Sequence, residues 1–312
     1  MTSIAPTPDA IAAGIVAFEP DVDLLLRNVS AIKDQVTTVW VYDNGSSNVE
    51  AAAEALRPIS GVRLVRSGSN DGIAAAFNAV ARMARDAGFK WLVTLDQDSV
   101  APAGMVAALA SKAKPGTPLI APHIVDRNKT TVAAVQATAL PPVEYFSRAA
   151  SKGAITSGAL LDLGVLEEVG GFDETFFIDY VDYDLNMRLM RAGYKIARAN
   201  DTHLSHAVGE ARQTWLFTPR RGVDGRWRIE RFYAFGHSPT RCYYKARNRV
   251  LYSRKHWRSV GLRNEGIVQI PQQIALTLLF EDQKIAKLRA FARGTYEGFR
   301  APLDNGRQAR KA

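Results

Sequence analysis

The chain has 312 residues, 47% of them hydrophobic, enough to bury a full core, which excludes a disordered or low-complexity protein. A single cysteine, Cys242, excludes an intrachain disulfide and points to a reducing cytosol, and Met1 to Ala13 lack the basic region and apolar core of a secretion signal. The net charge of +9 is uneven: residues 212 to 312 hold 22 Lys and Arg against 7 Asp and Glu, a net +15, whereas residues 1 to 211 hold 18 against 24, a net −6.

In chain order, the apolar runs Ile11 to Phe18, Val36 to Tyr42, Val62 to Ser67, Trp91 to Leu95 and Leu119 to Val125 predict strands of successive βα units in a mainly parallel sheet. Between the third and fourth, Ile73, Phe77, Val80, Ala84 and Ala87 recur at helical spacing and predict a helix packed on that sheet. Val181, Leu185, Leu189 and Ala192 predict another. Beyond about residue 210 the sequence becomes basic, aromatic-rich and helical in pattern, with a turn expected at Gly222 to Gly225 and a frayed polar tail at Asp304 to Ala312. This divides the chain into a catalytic α/β domain, 1–211, and a mainly helical basic extension, 212–312. The longest apolar stretch, Ile274 to Phe280, is too short to span a bilayer, so the expectation is a cytoplasmic protein, soluble or peripheral on the inner face of the cell membrane.

Three strands end in polar clusters: Phe18-Glu19-Pro20, Asp43-Asn44-Gly45-Ser46 and Asp96-Gln97-Asp98-Ser99. Ligands of open α/β sheets bind beyond the carboxyl ends of the strands. A strand end has no structural need for two carboxylates, whereas Mg²⁺ commonly uses one or two together with substrate phosphates, which makes Asp96 and Asp98 metal candidates. The plainer reading has Asp98 capping the next helix.

A second acidic group, Asp173, Asp179, Asp182 and Asp184, precedes or opens the helix beginning near Val181. Asp184 is spaced to pair with Arg188, leaving Asp182 as the candidate general base, with Asp179 able to share its face. Favourable interaction of acids with a helix N-terminus is the structural alternative. His203 or His206 could add an imidazole to a metal site. Asn70-Asp-Gly-Ile-Ala-Ala-Ala-Phe-Asn78 sets a glycine and two amides at a helix start suited to a phosphate or ribose, and neither a Gly-x-Gly-x-x-Gly fingerprint nor a Walker loop occurs. Between Arg241 and Arg258, cations interleave with Tyr243, Tyr244, Tyr252 and Trp257, a pattern fit for a diphosphate, a membrane interface, nucleic acid, or simply an exposed basic helix.

These motifs, in this order over about residues 11 to 255, resemble glycosyltransferase family 2, in particular its rhamnosyltransferase-like branch. The resemblance implies a GT-A fold, meaning a Rossmann-like, mainly parallel α/β sheet, and inverting, Mg²⁺- or Mn²⁺-dependent transfer of a sugar from a nucleotide diphosphate. By this likeness Phe18, Glu19 and Asp43 line the base and ribose pocket with Asn70 and Gly72 nearby, and Asp96-Gln97-Asp98 matches the Asp-x-Asp element. Asp96 and Gln97 then serve the donor nucleotide, while Asp98 and His206 hold the cation. Thr156-Ser157-Gly158 lies beside the donor sugar, and Gly170 to Phe177 with the following helix bears the base Asp182. Many relatives place Glu-Asp where this chain has Val181-Asp182, which leaves Asp179 as the alternative base.

His237 to Arg241 and Tyr243 to Arg249, including Arg247 and Asn248 on the sugar and acceptor side, resemble the segment that marks the rhamnosyl branch. The implied donor is dTDP-rhamnose, and the implied acceptor a polyprenyl-diphosphate-linked or free glycan of a cell-surface polysaccharide, reached near a membrane. A galactofuranosyltransferase using UDP-galactofuranose shares the motif order, and a nucleotidyltransferase would release pyrophosphate instead. A non-enzymatic protein binding nucleic acid or an anionic surface rests on the basic tail alone and leaves both acidic motifs unexplained.

Overall fold

The computed structural model describes residues 6–126, 140–147, 154–206, 212–221, 227–234, 236–260, 266–267 and 269–303. The turn expected at Gly222 to Gly225 and the tail from Asp304 lie outside them. The chain divides into two compact units. The first takes residues 6–125, 141–147, 154–177 and 181–206; the second takes Asp126, Leu140, residues 178–180 and the described residues from Arg212 onward. The first unit ends at His206, and residues 178–180, just before Val181, belong to the second unit.

The first unit is an eight-stranded sheet in the order β3-β2-β1-β4-β7-β5-β8-β6. Its strands are β1 (Ile11–Ala17), β2 (Thr38–Asp43), β3 (Val62–Arg66), β4 (Trp91–Asp96), β5 (Leu119–Asp126), β6 (Val143–Phe146), β7 (Ala159–Asp162) and β8 (Ile196–His206). The five expected strands are all present, and β3, β2, β1 and β4 run parallel as the βα pattern requires. The short β7 runs antiparallel between β4 and β5, and β6 runs antiparallel to β8.

β1 is buried along its whole length, as a central strand covered on both faces must be. On one face Ile11, Ala13, Ile15 and Ala17 join Val39, Val41, Val93 and Leu95 beneath α1 (Val22–Ile32), whose Leu25, Val29 and Ile32 are fully buried. α1 begins where Asp21 accepts a hydrogen bond from Leu24 N, 3.0 Å, an N-cap that satisfies one of the free first-turn amides. On the other face lies α3 (Ile73–Asp86), the helix foreseen from its spacing. It approaches so closely that a Cβ on Gly14 would stand 2.3 Å from Val80 Cγ1, so β1 needs glycine there. The remaining helices of this unit are α2 (Val49–Leu56), α4 (Met105–Ala110), α5 (Leu163–Glu168) and α6 (Val181–Arg191).

The second unit departs from the helical expectation at its start. Arg212–Arg221 (β9) and Trp227–Ala234 (β10) form a two-stranded antiparallel hairpin. Helices follow: α7 (Pro239–Lys255), α8 (Trp257–Val260), α9 (Gln269–Phe280) and α10 (Lys284–Arg300). α7 opens with Ser238 accepting from Arg241 N and Pro239 in its first turn. It packs on α10 through Cys242, Ala246 and Phe291. Burial pushes the Cys242 thiol up to about 11, so this cysteine is packing rather than a nucleophile. Arg254 closes α10 by donating to the carbonyls of Gly298 and Ala301. None of the described helices is long and apolar enough to cross a membrane.

Candidate active site

The parallel register aligns three strand ends. Ala17 pairs with Asp43, and Val16 with Asp96, so Phe18-Glu19, Asp43 to Ser46 and Asp96 to Ser99 emerge side by side. Each strand ends there because its apolar run stops, and the polar residues that follow bond to one another.

Asp43 is 3% exposed, and its carboxylate accepts from Gly45 N and Ser46 N, so it braces the loop after β2 from beneath. Ser46 in turn receives Glu19 N, 2.9 Å. The Glu19 carboxylate accepts from Ser47 N and the Ser47 hydroxyl, each at 2.8 Å, and the Ser47 amide bond holds it below the usual carboxylate range. Phe18 leaves 44% of its surface exposed, while its N–H donates to Gln97 Oε1, 2.7 Å, joining the first and third clusters.

Asn70 and Gly72 meet this group through Asn44, whose side chain donates to Asn70 Oδ1 and accepts from Asp71 N. Gly72 has φ +89°, and a Cβ there would lie 2.6 Å from Phe177 O, while Ile73 N donates to that same carbonyl at 2.9 Å. The loop Asn70 to Gly72 is thereby fixed to Phe177. Asn78 does not serve a ligand at the helix start: in the second turn of α3 its amide exchanges hydrogen bonds with Phe172 and donates to Glu174.

Thr156 to Gly158 sit directly beside the Asp-x-Asp turn. Thr94 Oγ1 donates to Thr156 O and Gly158 N to Thr94 O, while Ser157 Oγ accepts from Asp96 N, 3.2 Å, and shares a hydrogen bond with Ser99 Oγ, 2.9 Å. Val100 N bridges to Ser205 O, which sets the β8 position of His206 alongside the Asp96 to Ser99 turn. The His206 side chain is outside the described residues. His203, two positions before Ser205, is on the same strand.

On α6, Asp184 is fully buried and pairs with Arg188 at 2.7 Å, the structural role its spacing implied; Arg188 also donates to Val169 O. Asp182, half-buried in the first turn, accepts from Tyr183 N. Asp179 and Tyr180 both adopt left-handed backbone, φ +61° and +67°, strained for residues with side chains. Within the second unit this turn is clamped by α7: Arg241 pairs with Asp179, Arg249 Nε donates to Tyr180 Oη, and Asn248 donates to the carbonyls of Ile178 and Asp179. Asn248 is fully buried and Arg247 donates to its Oδ1, so its amide supports the turn instead of presenting itself to a sugar.

Sequence reasoning missed Asn28, a fully buried amide of α1 that donates to Asp96 O at 2.7 Å and so fixes the strand end from below. A polar residue on the buried stripe of an amphipathic helix was the available signal. It missed equally the clamp of α7 on residues 178–180, whose partners are about seventy positions apart.

Two family models match the chain: "Glycosyl transferase family 2" over residues 15–160 and "Glycosyl transferase family group 2" over residues 91–280. The second spans well over half of the sequence and both acidic motifs. The chain belongs to the glycosyl transferase family 2 group. This member is a glycosyltransferase using a nucleotide sugar, and the reading of the chain as a non-enzymatic binder of nucleic acid gives way. It is 27% identical over 305 residues to the dTDP-rhamnosyl transferase RfbF of Shigella flexneri, covering 95% of this chain and 98% of that protein. Among solved structures it is similar to GalNAc-T7, crystallised with UDP, GalNAc and Mn²⁺, with a TM-score of 0.56 and 14% identity over 92% of this chain. The chain spans 56% of that structure's length, and the likeness establishes the GT-A fold. A structure of S. aureus TarS 1-349 matches 64% of this chain and 60% of its own, at a TM-score of 0.47 and 11% identity.

Proposed function

We propose that this glycosyltransferase moves rhamnose from dTDP-rhamnose onto a hydroxyl of a glycan acceptor, inverting the anomeric carbon. One observation carries the donor: the similarity to the Shigella flexneri enzyme extends over nearly the full length of both chains. The acceptor class is a polyprenyl-diphosphate-linked or free glycan, in keeping with the anionic partner that the basic second unit suits.

The residues at the β4 end fit a divalent cation. Asp96 and Asp98 offer hard oxygen donors, both half-buried, and the Val100–Ser205 bridge brings a histidine-bearing strand beside them. Among the described residues no three His, Cys, Asp or Glu side chains gather into a cage, but Mg²⁺ or Mn²⁺ serving a diphosphate needs only one or two protein carboxylates. Bound by Asp98, with His206 as second ligand, such an ion would neutralise charge on the leaving nucleoside diphosphate.

Phe18, Glu19, Asp43, Asn70 and Gly72 form the nucleotide pocket, Gln97 joins its two sides, and Ser157 and Gly158 face the sugar. Asp182 takes the proton of the attacking hydroxyl as the new bond to the anomeric carbon forms and the bond to the diphosphate oxygen breaks. Asp179 is the weaker candidate because the Arg241 guanidinium already engages both of its carboxylate oxygens.

A thermal-shift series with dTDP-rhamnose, UDP-galactofuranose, UDP-glucose and GDP-mannose, each with and without Mn²⁺, tests the donor. Metal-dependent stabilisation by dTDP-rhamnose is expected; stabilisation by UDP-galactofuranose alone would move the protein to that branch.

A further inference from the structure

The β9–β10 hairpin has its large apolar side chains on the wrong side for a protein surrounded by water. Pairs directly opposite in an antiparallel ladder project to the same face. Here Phe217 pairs with Arg231, Pro219 with Ile229 and Arg221 with Trp227. Trp215 lies where the register shifts between the Phe217–Arg231 and Gln213–Tyr233 pairs, and its ring packs on Phe280 of α9. Phe217, Trp227 and Ile229 are 53%, 69% and 77% exposed. The opposite face holds the small or enclosed residues: Thr214 is buried and donates to Phe232 O, and Phe232 stacks on Phe280 of α9. A half-buried antiparallel strand ordinarily turns its polar residues outward. This hairpin does the reverse.

The charges around the face say what it meets. The two strands contain five arginines against the lone acid Glu230, and Arg231 lies 5.1 Å above the Phe217 ring on the apolar face itself. Tryptophan with arginine is the pairing that suits the boundary between water and hydrocarbon, where rings enter the headgroup layer and guanidinium groups meet lipid phosphates. A second copy packed isologously on this face would bring the arginines of both hairpins together.

We propose that the outward face of the β9–β10 hairpin docks the enzyme onto the surface of an anionic bilayer, inserting Phe217, Trp227 and Ile229 into the interfacial layer. The full chain would be spun with phosphatidylcholine vesicles with and without phosphatidylglycerol, beside a variant with Trp227→Ser and Ile229→Ser. Those side chains are mostly in solvent, so the variant should keep the wild-type melting temperature. The expected result is sedimentation with the phosphatidylglycerol vesicles, weakened by salt, and a loss of about tenfold or more in partitioning for the variant. No binding by folded wild-type protein, equal binding by the variant, or equal binding to neutral vesicles would overturn the proposal. So would concentration-dependent self-association of the wild type that the variant abolishes without any vesicle binding, which would give the face to a second copy.

Discussion

Arg241 grips Asp179 with two nitrogens, Nη2 at 3.2 Å from Oδ1 and Nε at 3.4 Å from Oδ2, in the left-handed turn that immediately precedes α6. The pair gives two neighbouring carboxylates different work. Asp179 is a bracket of the turn, while Asp182 is the acid proposed for proton transfer. Replacing Asp182 with Asn should lower kcat by about a thousandfold with donor affinity nearly unchanged, the size expected for loss of a general base. Asp179→Asn should keep kcat within about tenfold and lower stability by no more than about 1 kcal/mol, because Arg241 is 42% exposed. Steady-state kinetics with donor titration by calorimetry separates them; the reverse ranking would make Asp179 the base.

The strand ends were legible because they follow from a simple break in the sequence, an apolar run stopping at Asp43 or at Asp96-Gln97-Asp98. Parallel register then does the rest, since strands of one hand put all their carboxyl ends at one edge. The Asp184–Arg188 pair was legible for the same reason, being set by helical spacing alone. Asn248 was not, because its role depends on partners at Ile178 and Asp179 that only tertiary structure supplies. The hairpin escaped because its tryptophans and arginines read as one basic, aromatic run with no inward apolar alternation to signal a strand.

Asp98→Ala should remove both transfer and the dependence of donor binding on Mn²⁺ or Mg²⁺. Thermal shift with nucleotide, with and without metal, reads this directly. A variant that retains metal-stimulated donor binding would place the cation elsewhere.

Asn248→Ala would strip two carbonyls of the strained turn of their donor in a fully buried setting. A loss of about 2 kcal/mol in unfolding free energy is expected from unsatisfied buried groups. Denaturant melts of wild type and variant measure it, and a change under about 0.5 kcal/mol would show that Arg241 and Arg249 suffice to hold the turn.

Burial, with Lys245 beside it, drives His237 down to about 3. The unfolded chain takes up a proton on this side chain near its ordinary 6.5 while the folded protein refuses it. Stability contributed by the neutral ring is therefore fully present above about pH 6.5 and is lost as the pH falls, by roughly 1 kcal/mol per pH unit once below that value. His237→Gln should flatten that slope between about pH 6 and pH 4.5 in denaturant melts. Parallel slopes for the two proteins would contradict the assignment.

The most direct test of the central claim is release of nucleoside diphosphate from dTDP-rhamnose and from UDP-galactofuranose, in the presence of a glycan acceptor and Mn²⁺, by wild type and by Asp182→Asn. The wild type should release dTDP in an acceptor-dependent manner, and chelation or the substitution should abolish that release. UDP release from UDP-galactofuranose alone, or undiminished turnover by Asp182→Asn, would contradict it.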